Sequence, residues 1–138
     1  MVDDVLINKA ATIERCVIRA REEYDKDRST FATDFTRQDA AILNIQRACE
    51  AALDMGQHLI RRERLGVPQS ARDVFELLCR AGWLEPSSLS TMTNMVDFRN
   101  IAVHEDQNLQ LPIMVSIITE HLNDFVRFSA FILTRDAS

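Results

Sequence analysis

The stretch AAILNIQRACEAALDMGQHLI, residues 40–60, sets the fold class. Its apolar residues recur every three or four positions, which is the period of an amphipathic helix. Several of them are alanine or glycine, so a second helix can approach closely. The predicted helix begins at Thr36, whose hydroxyl would cap it, and ends before Gly66. The buried stripe is Ile42, Ile45, Cys49, Ala52, Gly56 and Leu59.

Four more helices are predicted on either side of this one. The first covers residues 3–25, the third follows Ser70, the fourth opens at Pro86 and ends near His104, and the fifth begins near Leu111–Pro112. The chain has 138 residues with only three Gly and three Pro, too few for the turns of a β fold. We therefore expect one all-α domain, residues 1–138, folded as a five-helix antiparallel up-down bundle.

The charge balance limits the function. A net charge of -5 argues against a protein that coats nucleic acid, although arginines dominate the cations and leave room for a local positive site. No stretch approaches ~18 apolar residues and the N-terminus is acidic, so we expect no membrane span, no signal peptide and a cytoplasmic protein. The cysteines, which show no metal-site spacing, are interpreted as reduced core residues: Cys16, Cys49 and Cys79.

Few patterns in the chain suggest chemistry. His58 and His121 are interpreted as solvated surface residues, and neither a zinc motif nor a phosphate loop is present in the sequence. The remaining candidate is DFRNIAVHED, residues 97–106. Arg99 continues an apolar face there, so it needs a partner: a carboxylate, a second subunit or a bound anion. We favour structural pairing, and Asp97 should point away because adjacent helical residues do not face each other.

His104 follows Arg99 by five residues, which on an unbroken helix means about 140° of rotation and about 7.5 Å of rise. The two side chains converge only if the helix opens before His104 or if a second copy contributes its own pair. The fifth helix also suggests a second copy, because its apolar surface is larger than one bundle contact needs. We interpret the excess as a dimer interface, with internal core as the open alternative; it includes Phe125, Phe128 and Phe131.

The segment RNIAVH, residues 99–104, is similar to the R-x4-6-H motif of HEPN ribonucleases. The flanking DFRNIAVHE, the preceding GWLEP and the IERC core of the first helix resemble the HepT-like toxins in particular. The resemblance covers nearly the whole chain. It implies a HEPN fold and a metal-independent, cofactor-free endoribonuclease that acts as a homodimer on tRNA or mRNA. It assigns catalysis to Arg99 and His104, with Asn100 in support.

The resemblance also implies an MNT-type nucleotidyltransferase antitoxin, which adds AMP to a Tyr two residues after the motif His. Here that position holds Asp106. Either Asp106 is natural and the toxin is controlled by binding alone, or it has been substituted for Tyr, which would abolish modification or weaken the toxin. We favour substitution, since close relatives should carry Tyr.

Other interpretations stay open at this point. The chain could be a non-catalytic helical interaction module that partners a nucleotidyltransferase, or a nucleotide-binding module in which Arg99 holds a phosphate. The cluster Arg61, Arg62 and Arg64 could guide RNA, although we favour their simpler role as cations at a helix C-terminus.

Overall fold

The computed structural model describes residues 3–104 and 107–138, with side chains for residues 3–100 and 111–138. Helices make up nearly all of these residues, and no strand occurs among them. The elements are α1 (Asp4–Asp25), a 3₁₀ turn (Phe31–Thr33), α2 (Phe35–Glu63), α3 (Ala71–Arg80), α4 (Pro86–His104), α5 (Gln107–Ser116), a π turn (Ile117–His121) and α6 (Leu122–Ala137). Because the last three are continuous, the described chain forms five rods, and the all-α prediction is confirmed.

Aspartates cap the two long N-terminal helices. Asp3 accepts hydrogen bonds from the amides of Val5 and Leu6 at the start of α1. Asp34 accepts from the amide of Arg37 at 3.1 Å and begins α2. The prediction that Thr36 caps α2 was wrong: the helix begins one residue earlier, and an aspartate is at least as good a cap as a threonine.

Helices α1 and α2 lie antiparallel along most of their length. Lys9 pairs with Asp54 at 3.1 Å near one end. At the other end, Arg37 is buried and donates to the carbonyl of Glu23 at 2.8 Å. The polar loop between the helices is therefore tied to α2: the Arg37 guanidinium also donates to the carbonyls of Tyr24 and Asp27 and to the hydroxyl of Thr30.

The apolar stripe of α2 is buried, as its period predicted. Gly56 lies where α3 crosses, and a Cβ added there would be 2.6 Å from Val74 Cγ1. The residue thus permits the close helix approach expected from small side chains.

Two of the three phenylalanines of α6 are internal, while Phe131 is half-buried. Phe125 is 0% and Phe128 1% exposed, and the Phe128 ring meets that of Phe75 edge-on at 5.7 Å between centroids. The prediction that these two side chains form a surface between subunits was therefore wrong, and the alternative of internal core applies. Phe128 meets α3 through Phe75, and α6 also contacts α1, α2 and α4, so several sides of this helix are covered within one protomer.

The fifth rod differs from its predicted start. It begins at Gln107, so Pro112 lies inside α5 rather than in its first turn. Gln and Leu are good helix formers, so the segment before Pro112 can extend the helix. Within the described residues we find no helical segment whose length and hydropathy would suit a bilayer span.

Candidate functional site

The second half of α4 presents Arg99. This part of the helix contributes Met95, Val96 and Phe98 to the buried core, and α4 contacts α2, α3 and α6. The Cys49 thiol of α2 donates to the Met95 carbonyl at 3.4 Å. The position of Arg99 is therefore set by a packed junction between two helices.

The Arg99 guanidinium is half-buried, with 21% of the side chain exposed. Its Nη1 donates to Glu50 Oε1 of α2 at 2.9 Å. Its Nε and Nη2 donate to Asn100 Oδ1 at 3.3 and 3.0 Å. The predicted structural pairing of Arg99 is confirmed, and the partner is a carboxylate. These contacts use three of five N–H groups, so the same guanidinium can also bind an anion.

Asp97 lies on another side of α4, where it pairs with Arg72 of α3. This confirms that adjacent residues of the helix point apart. Arg72 of α3 and Arg99 of α4 thus have separate carboxylate partners. Asp97 does not neutralise Arg99.

Beneath Arg99 lies the thiol of Cys49, which is 2% exposed. Burial raises its pKa to about 12, although the positive charge of Arg99 acts in the opposite direction. The thiol is therefore neutral near pH 7 and is a packing group rather than a nucleophile.

His104 ends α4, and the helix is unbroken between Arg99 and His104. Arg99 and His104 could meet either if the helix opened before His104 or if a second copy contributed its own pair. The first does not occur. Positions 99 and 104 of an unbroken helix lie about 140° apart around its axis. The side chain of His104 and the whole of Asp106 lie outside the described residues, so their predicted roles stay predictions.

The arginine cluster lies elsewhere. Arg61 is eleven residues after Glu50 on the same helix, which is about 17 Å along its axis. Arg62 is engaged by Asp3 at 2.8 Å and Asp136 at 2.7 Å, and Arg64 is the left-handed C-cap of α2. The structure does not bring this cluster to Arg99.

The other histidines are less solvated than predicted. His58 Nε2 is 2.7 Å from Asp3 Oδ2, with 24% of the side chain exposed. His121 Nδ1 is 3.0 Å from Asp124 Oδ2, with 41% exposed. A carboxylate at the start of α1 contacts His58, and a carboxylate in the first turn of α6 contacts His121. Among the described residues, no group of three His, Cys, Asp or Glu is placed to hold a metal ion.

Sequence reasoning missed Glu50. It lies 49 positions before Arg99, and no short-range pattern connects residues so far apart. The covariation of two positions across many relatives is the signal that could have found the pair.

The chain matches the family model described as ribonuclease HepT-like over residues 13–132. The mRNA nuclease HepT of Shewanella oneidensis is 46% identical over 127 residues, which are 92% of this chain and 95% of the relative.

Two solved structures share the fold. One is a toxin-antitoxin complex with AMP-PNP, at 45% identity and a TM-score of 0.91. The other is the tri-AMPylated Shewanella oneidensis HEPN toxin in complex with MNT antitoxin, at 44% identity and a TM-score of 0.91. The match in each covers 96% of this chain and 99% of that chain.

Proposed function

This chain belongs to the HepT-like ribonuclease family, and on that basis we propose that it is a metal-independent endoribonuclease toxin whose site is built from Arg99 and His104. The observation that supports the proposal best is the half-buried Arg99 guanidinium. It is oriented by acceptors from two helices and keeps N–H groups for an anion.

The two residues would share one transesterification. His104 accepts the proton of the ribose 2′-hydroxyl, the 2′-oxygen attacks the adjacent phosphorus, and the bond from phosphorus to the 5′-oxygen breaks. The leaving oxygen takes up a proton. Arg99 binds the scissile phosphate and stabilises the charge that grows on its oxygens. The products are a 2′,3′-cyclic phosphate and a 5′-hydroxyl, and DNA, which lacks the 2′-hydroxyl, is not cut.

A homodimer is part of this proposal for a geometric reason. On an unbroken helix, positions 99 and 104 of one protomer lie about 140° apart around the helix axis. A two-fold axis near the end of α4 would let the guanidinium of one protomer and the imidazole of its partner reach the same RNA linkage. Asn100, next to Arg99, supports the site by holding the guanidinium.

We further propose an MNT-type nucleotidyltransferase as the antitoxin, as in the complex of the Shewanella oneidensis toxin. AMP transfer to a tyrosine at position 106 is not available to this chain, which has Asp106. An Asp106→Tyr variant incubated with the antitoxin and ATP should gain the mass of at least one AMP group and become more toxic, while the unaltered chain gains none at that position. An unchanged mass and an unchanged toxicity in the variant would remove the idea.

The decisive experiment is cleavage of total tRNA and of mRNA by the purified chain, with EDTA present. We expect fragments with 2′,3′-cyclic phosphate ends from the unaltered chain and from a His121→Ala control, which removes a histidine held by α6 instead. Arg99→Ala and His104→Ala should lose cleavage by at least about a hundredfold.

Other outcomes would support the alternatives. If His104→Ala cuts RNA as well as the unaltered chain, the catalytic role of His104 is wrong. If no variant cuts any RNA while dimerisation and antitoxin binding persist, the chain is an interaction module. Calorimetric binding of ATP without binding of single-stranded RNA would indicate a nucleotide-binding module.

A further inference from the structure

We propose that Glu50 is a positioning residue of the RNA site, acting through Arg99; this rests on the function proposed above. Its carboxylate oxygen accepts from Arg99 Nη1 at 2.9 Å. The contact joins the long helix α2 to the end of α4, and Glu50 reaches no reacting atom itself. Its role would be to fix where the guanidinium points before RNA arrives.

The geometry favours such a role. Asn100 lies beside Arg99 on α4 and holds the Nε and Nη2 edge, but it moves together with the helix that carries Arg99. Glu50 lies on a different helix, α2, whose backbone is held there because the neighbouring residues Cys49 and Ala51 are buried in the core. With one acceptor on each helix, both the direction and the plane of the guanidinium are set.

Fixing the guanidinium has a catalytic consequence. An arginine side chain has many rotamers, and a group already held in place loses less freedom when the transition state forms. The contact leaves two N–H groups of Arg99 for the phosphate, since the described acceptors use three of five. Positioning and phosphate binding are therefore compatible on the same side chain.

The negative charge of Glu50 has a separate effect. The Glu50 side chain is 57% exposed, so water screens it, but it still lies near the anion that Arg99 would bind. The carboxylate should weaken RNA binding while its hydrogen bond aids the reaction. Glu50→Gln separates these effects because the amide oxygen can accept the same hydrogen bond without the charge.

The test measures kcat and KM for RNA cleavage in Glu50→Gln and Glu50→Ala. We expect Glu50→Gln to keep kcat within about twofold and to lower KM by roughly threefold. Glu50→Ala should lower kcat by roughly tenfold or more. The control is Asp54→Ala, which removes a carboxylate of similar exposure one turn further along α2, paired with Lys9, and should leave kcat within about twofold.

A second measurement does not depend on activity. The Nε–Hε NMR signal of Arg99, assigned by its loss in Arg99→Lys, should show increased fast motion in Glu50→Ala and little change in Glu50→Gln or Asp54→Ala. Thermal melting of each variant checks that the bundle is intact.

The outcomes separate the two proposals. A Glu50→Ala variant with unaltered kcat and an equally ordered Arg99 would overturn the positioning role. A Glu50→Gln variant as slow as Glu50→Ala would overturn the hydrogen-bond argument. If the unaltered chain cuts no RNA, the function fails, while the NMR comparison still decides whether Glu50 positions Arg99.

Discussion

Replacing Asp3 with Asn should destabilise the protein by removing one charge from the junction of three helices. Asp3 contacts His58 at 2.7 Å and Arg62 at 2.8 Å, and Arg62 reaches on to Asp136 of α6 at 2.7 Å. Burial opposes ionisation of Asp3, but hydrogen bonds from His58, Arg62 and the amide of Leu6 outweigh it. They lower its pKa from the ordinary 3.8 to about 2.

The magnitude follows from that shift in pKa. A difference of about 1.8 units corresponds to about 2.4 kcal/mol in the free energy of unfolding. Because 24% and 29% of the His58 and Arg62 side chains are exposed, solvent screening reduces this to about 1–2 kcal/mol. The loss should lower Tm by roughly 3–8 °C. Asn is as good an N-cap as Asp, so the cap of α1 survives. The change removes the charge together with the oxygen that contacts His58 and Arg62.

The dependence on pH has a definite sign. A carboxyl whose pKa is lowered in the folded state contributes its full stability above the unfolded pKa, near pH 4, and loses it as the pH falls toward 2. Urea unfolding of the unaltered chain and of Asp3→Asn should therefore differ most at pH 5–7 and converge near pH 2.

An Asp4→Asn control changes the neighbouring acidic residue in the first turn of α1, which lies outside the junction. It should cost less than about 0.5 kcal/mol. Equal stability of Asp3→Asn and the unaltered chain at pH 7, or a difference that stays constant down to pH 2, would refute the reasoning.

Two further predictions concern the core. Gly56→Ala should destabilise the protein by about 1–2 kcal/mol in urea unfolding, because the new Cβ would meet Val74 Cγ1 at 2.6 Å and the gain in helix propensity offsets only part of the overpacking; an increase in stability would contradict it. In the native protein, Cys79, which is half-buried, should react with a thiol reagent at least roughly tenfold faster than Cys49, whose pKa is about 12. Mass spectrometry after partial labelling identifies the order, and earlier labelling of Cys49 would show that the junction of α2 and α4 opens.

Much of the fold follows from local pattern. The period of the α2 stripe, the Ser70 cap of α3 and the end of α4 at His104 are short-range signals, and the structure agrees with them. The start of α2 was misplaced by one residue because Asp34 and Thr36 are both good caps. Sequence alone does not say which of two nearby cap residues the chain uses.

Contacts between residues far apart in the sequence do not follow from local pattern. The requirement that Arg99 have a partner could be argued from an arginine on an apolar face, but the identity of Glu50 depends on how α4 crosses α2. In the same way, periodicity marks Phe125 and Phe128 as apolar but does not show how many helices surround α6, so it does not distinguish core from interface. The polar sequence neighbours of His58 predict a solvated side chain, but its partner Asp3 is 55 positions away.

The π turn between α5 and α6 has a consequence for comparing this chain with its relatives. A π turn accommodates about one residue more than an α turn, so the helical phase before residue 117 and the phase after residue 121 differ by roughly 100°. A relative that lacks the extra residue must be aligned with a single gap inside Ile117–His121; a gap placed anywhere else would pair core positions of one protein with solvent positions of the other.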